Sequence, residues 1–429
     1  MHRISKLKNG TTLITVPVKG TKATTVLAMF PVGSRYETKK LSGASHFVEH
    51  MLFKGTKKRP GATDISRVLE RVGADYNAFT NKDYTGYYVK IDGSKQDIAY
   101  DLLSDMIYNS KIEEVEVEKE KGAIVEELRM YADNPTMAID VLFERALFGD
   151  CPLGWDIGGS EQTVRAISRL ELWRYYQEHY SPRNMVLVVA GDVGSKKLNK
   201  LFPLFGSQQA PGKARPLSFY KKGFQKVVWP AGRMTLDKRV MIKEKKLDQA
   251  HLMLGFPGLP NNHPDRYATS VLLNILGSGM SSRLFVEVRE KRGLAYMIRS
   301  SSSSYRDVGT VSVQAGLDPA RLSEALQVIK AELQRLADEP VTAEELADAK
   351  TNIAGHMALS LEDSSNQAEW YARHFLFGTT IETPEQVVLK YKKVTIKDVQ
   401  RMAKQLFDFK HMRLAAIGSV PKNTIIKML

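Results

Sequence analysis

The strongest constraint on the fold is that the chain says nearly the same thing twice. Met185-Val-Leu-Val-Val-Ala-Gly-Asp-Val193 has a counterpart in Met412-Arg-Leu-Ala-Ala-Ile-Gly-Ser-Val420, at an offset of 227 residues. Leu147-Phe-Gly149 pairs with Leu376-Phe-Gly378 at 229, and Phe30-Pro31 with Phe256-Pro257 at 226. Three anchors at almost one offset require two copies of a fold of about 200 residues, far longer than a solenoid repeat. Each copy mixes period-2 segments, such as Thr12–Val16 and Thr25–Phe30, with helical periods and hairpin-like connections. The expected class is therefore α+β: two homologous domains, each an antiparallel sheet flanked by helices. The Gly- and Pro-rich composition after residue 205 sets the boundaries at 1–205, a basic linker 206–232, and 233–429.

Within the first copy the punctuation is specific. A helix is expected from Thr63 as N-cap to Gly73 just past its end, followed by a hairpin of strands near 74–80 and 85–92. Helical periods then cover 96–109, 114–131 and a stretch ending at Gly149, and a last helix, Leu170–His179, leads into the buried strand at Met185.

The chemistry concentrates in Gly43-Ala-Ser-His-Phe-Val-Glu-His-Met-Leu-Phe-Lys-Gly-Thr56, an H-x-x-E-H pattern in an apolar run. On a helix His46 and His50 stand one turn apart on one face, and Glu49 overlooks the same face. Two imidazoles at that spacing can hold one Zn²⁺, and a neighbouring carboxylate can take a proton from a water bound there. The order is inverted relative to H-E-x-x-H, but the same three groups can converge. In the second copy Ser270-Val-Leu-Leu-Asn-Ile-Leu-Gly277 occupies this position with no His or Glu. Packing alone therefore does not demand His46, Glu49 or His50. Two histidines leave a zinc site incomplete, and the stretch Glu118–Leu128 offers the missing carboxylate. Glu120 and Glu127, seven apart, share a helix face, yet the residues alone do not choose among Glu120, Glu126 and Glu127.

Taken together, these residues resemble the inverted-zinc-motif peptidases, whose members include pitrilysin, insulin-degrading enzyme and mitochondrial processing peptidase. The likeness extends through Tyr76-Asn-Ala-Phe-Thr80, the Glu120–Glu127 helix and Arg289-Glu-Lys-Arg-Gly-Leu-Ala-Tyr296, and the two-copy plan spans the chain. The resemblance implies that Glu127 is the third ligand of one Zn²⁺ per chain, with Glu120 behind a ligating histidine and Glu49 as general base. It implies that Asn77, Ala78 and Phe79 lie on an edge strand to which an extended substrate adds by backbone pairing. It also implies that Arg289 and Tyr296 touch the substrate and its tetrahedral intermediate, where a guanidinium and a phenol suit a developing oxyanion. The function expected is zinc-dependent endopeptidase action on unfolded peptides inside a dimer chamber. Because the chain carries both the metal motif and the Arg/Tyr pair, the expected assembly is a homodimer in which Arg289 and Tyr296 act on the partner's zinc, with a heterodimer as the other arrangement. The alternative function is a non-catalytic partner or scaffold subunit of a processing peptidase-like complex.

Composition closes off other classes. At 43% hydrophobic and 26% charged, the chain has an ordinary globular balance, and no apolar run reaches the length of a membrane span. The basic start, Met1-His-Arg-Ile-Ser-Lys, has no apolar stretch behind it and does not read as a signal peptide. A single Cys151 fits a reducing compartment, so the expected location is cytoplasmic. The net charge of +14 is concentrated: residues 206–246 hold eleven Lys or Arg against Asp237 and Glu244. A surplus held mostly in one connector argues against nucleic acid as the partner, and extended peptides remain the partner that the resemblance implies.

Overall fold

The computed structural model describes residues 2–207, 214–222, 224, 226–227, 239–378, 380–420, 423 and 425–426. They form two compact units: Met1–Arg129 with Asp156–Gln225 and Leu359–Ile381, and Met130–Trp155 with Lys226–Ala358 and Glu382–Leu429.

Unit 1 is built on six strands: β1 (Arg3–Lys6), β2 (Thr12–Pro17), β3 (Ala23–Phe30), β4 (Asp75–Thr80), β5 (Thr85–Asp92) and β6 (Val186–Gly191). Their order is β1-β2-β6-β3-β5-β4, so β4 is an edge. Unit 2 has five: β7 (Val240–Glu244), β8 (Ala250–Gly258), β9 (Ala295–Ser304), β10 (Gly309–Leu317) and β11 (Arg413–Gly418), ordered β7-β11-β8-β10-β9. The two sheets repeat one plan: β8 begins 227 residues after β3, and β11 begins 227 after β6. Both are antiparallel except for one parallel pair each, β2 with β6 and β7 with β11. In each case well over a hundred residues separate the two strands, so no tight turn dictates their direction.

Side chains alternate between the faces of the first sheet, as a strand's period of two requires. Val26, Ala28 and Phe30 of β3 join a core with Phe47, Val48 and Met51 of helix α1 (Ala44–Leu52). Leu27 and Met29, with Val186, Val188 and Ala190 of β6, pack instead on Ala368, Tyr371, Ala372 and Leu376. Those four belong to a helix of the second copy, Ser364–Phe377. In unit 2 the helix Pro135–Phe148 of the first copy plays the equivalent part, setting Ile139 and Phe143 against Met253, Ala415 and Ile417. The two helices start 229 residues apart and are the ones that end in the repeated Leu-Phe-Gly. The copies have exchanged corresponding helices, so the compact units are not the contiguous halves 1–205 and 233–429.

The expected linker 206–232 lies partly outside the described residues, as do Lys213, Arg233 and Lys238. Where it is described it is docked. Helix Leu217–Lys222 buries Tyr220, whose hydroxyl lies 2.7 Å from His179 Nδ1 and whose carbonyl accepts from the Tyr36 hydroxyl at 2.8 Å. The helix expected from Thr63 spans Ala62–Glu70, with Gly61 rather than Thr63 as N-cap, because the Asp64 carboxylate reaches back to the Gly61 N–H at 3.1 Å. Among the described residues no helix is long and apolar enough to cross a membrane.

A fragment ending at residue 205 therefore lacks the helix that covers one face of its own sheet. It is expected to bind a hydrophobic dye and elute as aggregate in size-exclusion chromatography, whereas the full chain does neither; a well-behaved monomeric fragment would contradict the exchange.

Candidate metal centre

Helix α1 is fixed from its start. Gly43 sits at φ +98, and a Cβ there would meet the Gly158 carbonyl oxygen at 2.5 Å, so the N-cap position admits only glycine. A glycine cannot cap the helix with a side chain, and the buried Glu37 does so instead. Its two carboxylate oxygens accept the N–H groups of Gly43 at 2.8 Å and Ser45 at 2.7 Å. The Ser45 hydroxyl in turn meets the Tyr175 hydroxyl at 2.7 Å. Ala44, Phe47, Val48, Met51 and Leu52 face the core, which leaves His46, Glu49 and His50 on the half-exposed side.

A second helix, α2 (Glu114–Asp133), supplies the carboxylates. His50 Nε2 lies 3.2 Å from His46 Nε2 and 3.2 Å from Glu127 Oε2, and His46 Nε2 lies 3.6 Å from the same oxygen. Two turns earlier on that face Glu120, nearly buried, bonds His50 Nδ1 at 2.8 Å and Lys54 Nζ at 2.6 Å. Glu126 points away, largely exposed and paired with Arg129 at 2.7 Å. The three carboxylates that sequence alone left open are thus sorted by which way each faces.

These donors fit a zinc ion. Zn–N and Zn–O bonds of about 2.0–2.1 Å at a tetrahedral centre set ligand atoms roughly 3.3 Å apart, and the three separations are 3.2, 3.2 and 3.6 Å. Two imidazole nitrogens and a carboxylate oxygen at such distances repel unless a cation, either a proton or a metal ion, holds them together. With the protein's groups alone, burial opposes charge on His50, but bonds to Glu120 and Glu127 outweigh it and push its pKa up to about 9. Burial, aided by the charge of His50, brings His46 down to about 4. Burial also disfavours charge on Glu120, yet bonds from His50 and Lys54 leave its carboxyl below the usual range. An ionised Glu120 accepting from His50 Nδ1 fixes the ring with Nε2 turned towards His46 and Glu127.

Glu49 stands apart from the ligand set. Burial raises its carboxyl pKa, partly offset by the Thr80 hydroxyl, which donates to Oε2 at 2.5 Å. Thr80 closes the edge strand β4, whose partner is β5 in the register Asn77↔Tyr88, Ala78↔Tyr87, Phe79↔Gly86. The Asn81 N–H bonds the Tyr84 carbonyl across the turn. Bonded pairs alternate in an antiparallel ladder, so Asn77 and Phe79 spend their backbone groups on β5, while Tyr76, Ala78 and Thr80 present theirs to the open edge. The Phe79 ring turns to the face covered by the exchanged helix and lies over Gly86.

Arg289 and Tyr296 are neighbours within unit 2. The Arg289 guanidinium lies over the Phe285 and Tyr296 rings at 4.7 and 5.0 Å and donates to the Tyr296 carbonyl at 2.7 Å. Tyr296 is the extra residue of a bulge, since Leu317 pairs with Ala295 and Gly316 with Met297, and the residue is 75% exposed. Sequence reasoning missed Glu37, Lys54 and Thr80 as contributors. Lys54 and Thr80 lay inside stretches already singled out, but their contacts are made through space and leave no spacing to read.

Residues 14–157 match the sequence model described as insulinase (peptidase family M16), and residues 166–353 match that described as the peptidase M16 inactive domain. An uncharacterized zinc protease of Streptomyces coelicolor is 36% identical over 97% of this chain and 89% of its own length. The chain belongs to peptidase family M16. A second uncharacterized zinc protease of this kind, from Bacillus subtilis, is 34% identical over 91% of this chain and 92% of its own. Among solved structures, a protease from Helicobacter pylori shares the fold with a TM-score of 0.87 at 24% identity, over 97% of this chain and 99% of that one. An M16 inactive domain from Pseudomonas fluorescens gives 0.86 at 19% identity, over 98% of both chains. In the second copy the helix Arg266–Gly277 offers no metal-binding side chain, and among the described residues of this M16 chain the one candidate ligand group lies in the first copy.

Burial also pushes the Glu37 carboxyl up, to about 7 against an ordinary value of 4.5, despite its two backbone donors. Between those values the folded state binds a proton that the unfolded state has released, so this group's contribution to stability falls as pH rises, by about 3 kcal/mol in all. Urea unfolding of wild type and Glu37→Gln from pH 4.5 to 7.5 is expected to show a difference in stability that changes in that direction and levels off above pH 7. A pH-independent difference would refute the shift.

Proposed function

We propose that this M16 protein is a zinc-dependent endopeptidase acting on extended, unfolded peptides in the cytoplasm. The observation that carries the reading is the spacing of His46 Nε2, His50 Nε2 and Glu127 Oε2, the one three-residue metal-binding group among the described residues, with Glu49 on the same helix. These three residues would hold the metal. Zn²⁺ bound there supplies Lewis-acid chemistry, polarising a peptide carbonyl and making water more acidic. The remaining work falls to the chain's own groups. Glu49 takes one proton from the attacking water as its oxygen adds to the carbonyl carbon, and delivers it to the amide nitrogen as the C–N bond breaks. Glu120 holds the Nδ1 proton of His50 and so orients the ring. The open edge of β4, around Asn77, Ala78 and Phe79, binds the substrate through backbone bonds, which recognise an extended chain more than its side chains. Arg289 and Tyr296 donate to the substrate carbonyl oxygen as charge develops on it. A scaffold subunit would have no use for a general base held beside three convergent ligands.

Purified protein is expected to contain one Zn²⁺ per chain, in keeping with the one ligand group among the described residues, and to lose it in His46→Ala. Cleavage of a quenched-fluorescent peptide library should stop with chelator and return with Zn²⁺. Glu49→Gln should retain the metal while kcat falls by ~10²–10⁴. Cleavage that survives metal removal, or stoichiometric zinc without cleavage, would sink the proposal.

The reading extends to a homodimer in which Arg289 and Tyr296 of each chain serve the partner's site, since one chain carries both halves of the machinery. Mixing Glu49→Gln with Arg289→Ala protein is then expected to restore activity, because each mixed dimer contains one intact combination. Mixtures no more active than their parents would exclude action in trans.

A further inference from the structure

We propose that Thr80 is the positioning residue for Glu49, coupling the general base to the strand that holds the substrate. The inference rests on the peptidase reading above and assigns a role within that site. The Thr80 hydroxyl donates to Glu49 Oε2 at 2.5 Å, the one side-chain hydrogen bond the carboxylate makes among the described residues. A Glu side chain has three rotatable bonds, and among the described residues no salt bridge holds Glu49; without the hydroxyl its carboxylate has several rotamers open to it. With Oε2 occupied, Oε1 is the oxygen left to take a proton, and its direction is fixed. Thr80 is also the last residue of β4, with its backbone N–H and C=O on the open edge. One residue thus touches the base with its side chain and offers its backbone to an added strand. Seating a peptide on β4 fixes the scissile bond and the carboxylate in one frame, which is the condition for rate gained from orientation.

The test compares Thr80→Val, which keeps the shape and removes the donor, with Thr80→Ser, which keeps the donor. The probe is a quenched-fluorescent unstructured peptide that the wild type cleaves. For Thr80→Val the expected loss is about 10²-fold in kcat with KM changed less than about twofold, as for a displaced catalytic group. Thr80→Ser should recover most of that loss. Zinc content and thermal unfolding should match wild type in both, and crystal structures should show Glu49 turned away in Thr80→Val and in place in Thr80→Ser. An unchanged kcat in Thr80→Val, a loss carried by KM alone, or a Ser variant as impaired as the Val variant would each overturn the role of Thr80 and leave the peptidase reading standing. A wild type that cleaves no peptide removes both together.

Discussion

Two backbone N–H groups at the start of α1 and the one buried carboxylate that receives them hold the candidate site in place. Gly43 must be glycine because of its φ and the nearby Gly158 carbonyl, so the helix cannot be capped from its own N-cap residue. Glu37 supplies both acceptors from six and eight residues upstream. The cap sets where the first turn of α1 lies, and His46 stands in that turn. His50 and Glu49 follow at fixed helical increments, and the rest of the site is arranged against them.

Charge in the site is arranged with economy. Glu127, Glu120 and Glu49 would repel one another if left alone, and each is given a different partner: the histidine nitrogens, the His50–Lys54 pair, and the Thr80 hydroxyl. Glu49 bonds to a neutral donor, the Thr80 hydroxyl. Burial disfavours charge on Glu120 and Glu49 alike; bonds from His50 and Lys54 overcome it at Glu120, whereas the Thr80 hydroxyl only partly offsets it at Glu49.

How much of this could be read from the residues depends on whether a feature lives along the chain or across it. The repeat was legible because β6 and β11 are buried on both faces and so appear as apolar runs that survive divergence. His46, Glu49 and His50 were legible because a helix fixes their mutual spacing. The choice of Glu127 and Glu120 over Glu126 required the family resemblance, since a seven-residue spacing says that two residues share a face without saying which face turns inward. The helix exchange left no trace in the periodicity of Pro135–Phe148 or Ser364–Phe377, because an apolar stripe does not name the surface it covers. Gly61 replaced Thr63 as cap through one reach of the Asp64 side chain, a contest between adjacent residues that propensity does not decide. The exposure of Tyr296 comes from a bulge, one unpaired residue that a strand pattern cannot display.

The open edge of β4 carries a consequence for solution behaviour. A sheet edge that accepts guests of many sequences is equally open to the edge of another sheet, and such pairing is how soluble β-proteins come to aggregate. On β4 the Asn77 side-chain oxygen already accepts the Ala78 N–H at 2.9 Å, one of the donors that faces outward. An arriving strand must displace a bond already made, so brief or poorly registered encounters gain little, and only a chain that makes further contacts stays. The strand is also short, six residues, and begins with the exposed charge of Asp75. Selectivity against the protein's own kind is built into the same few residues that offer the edge.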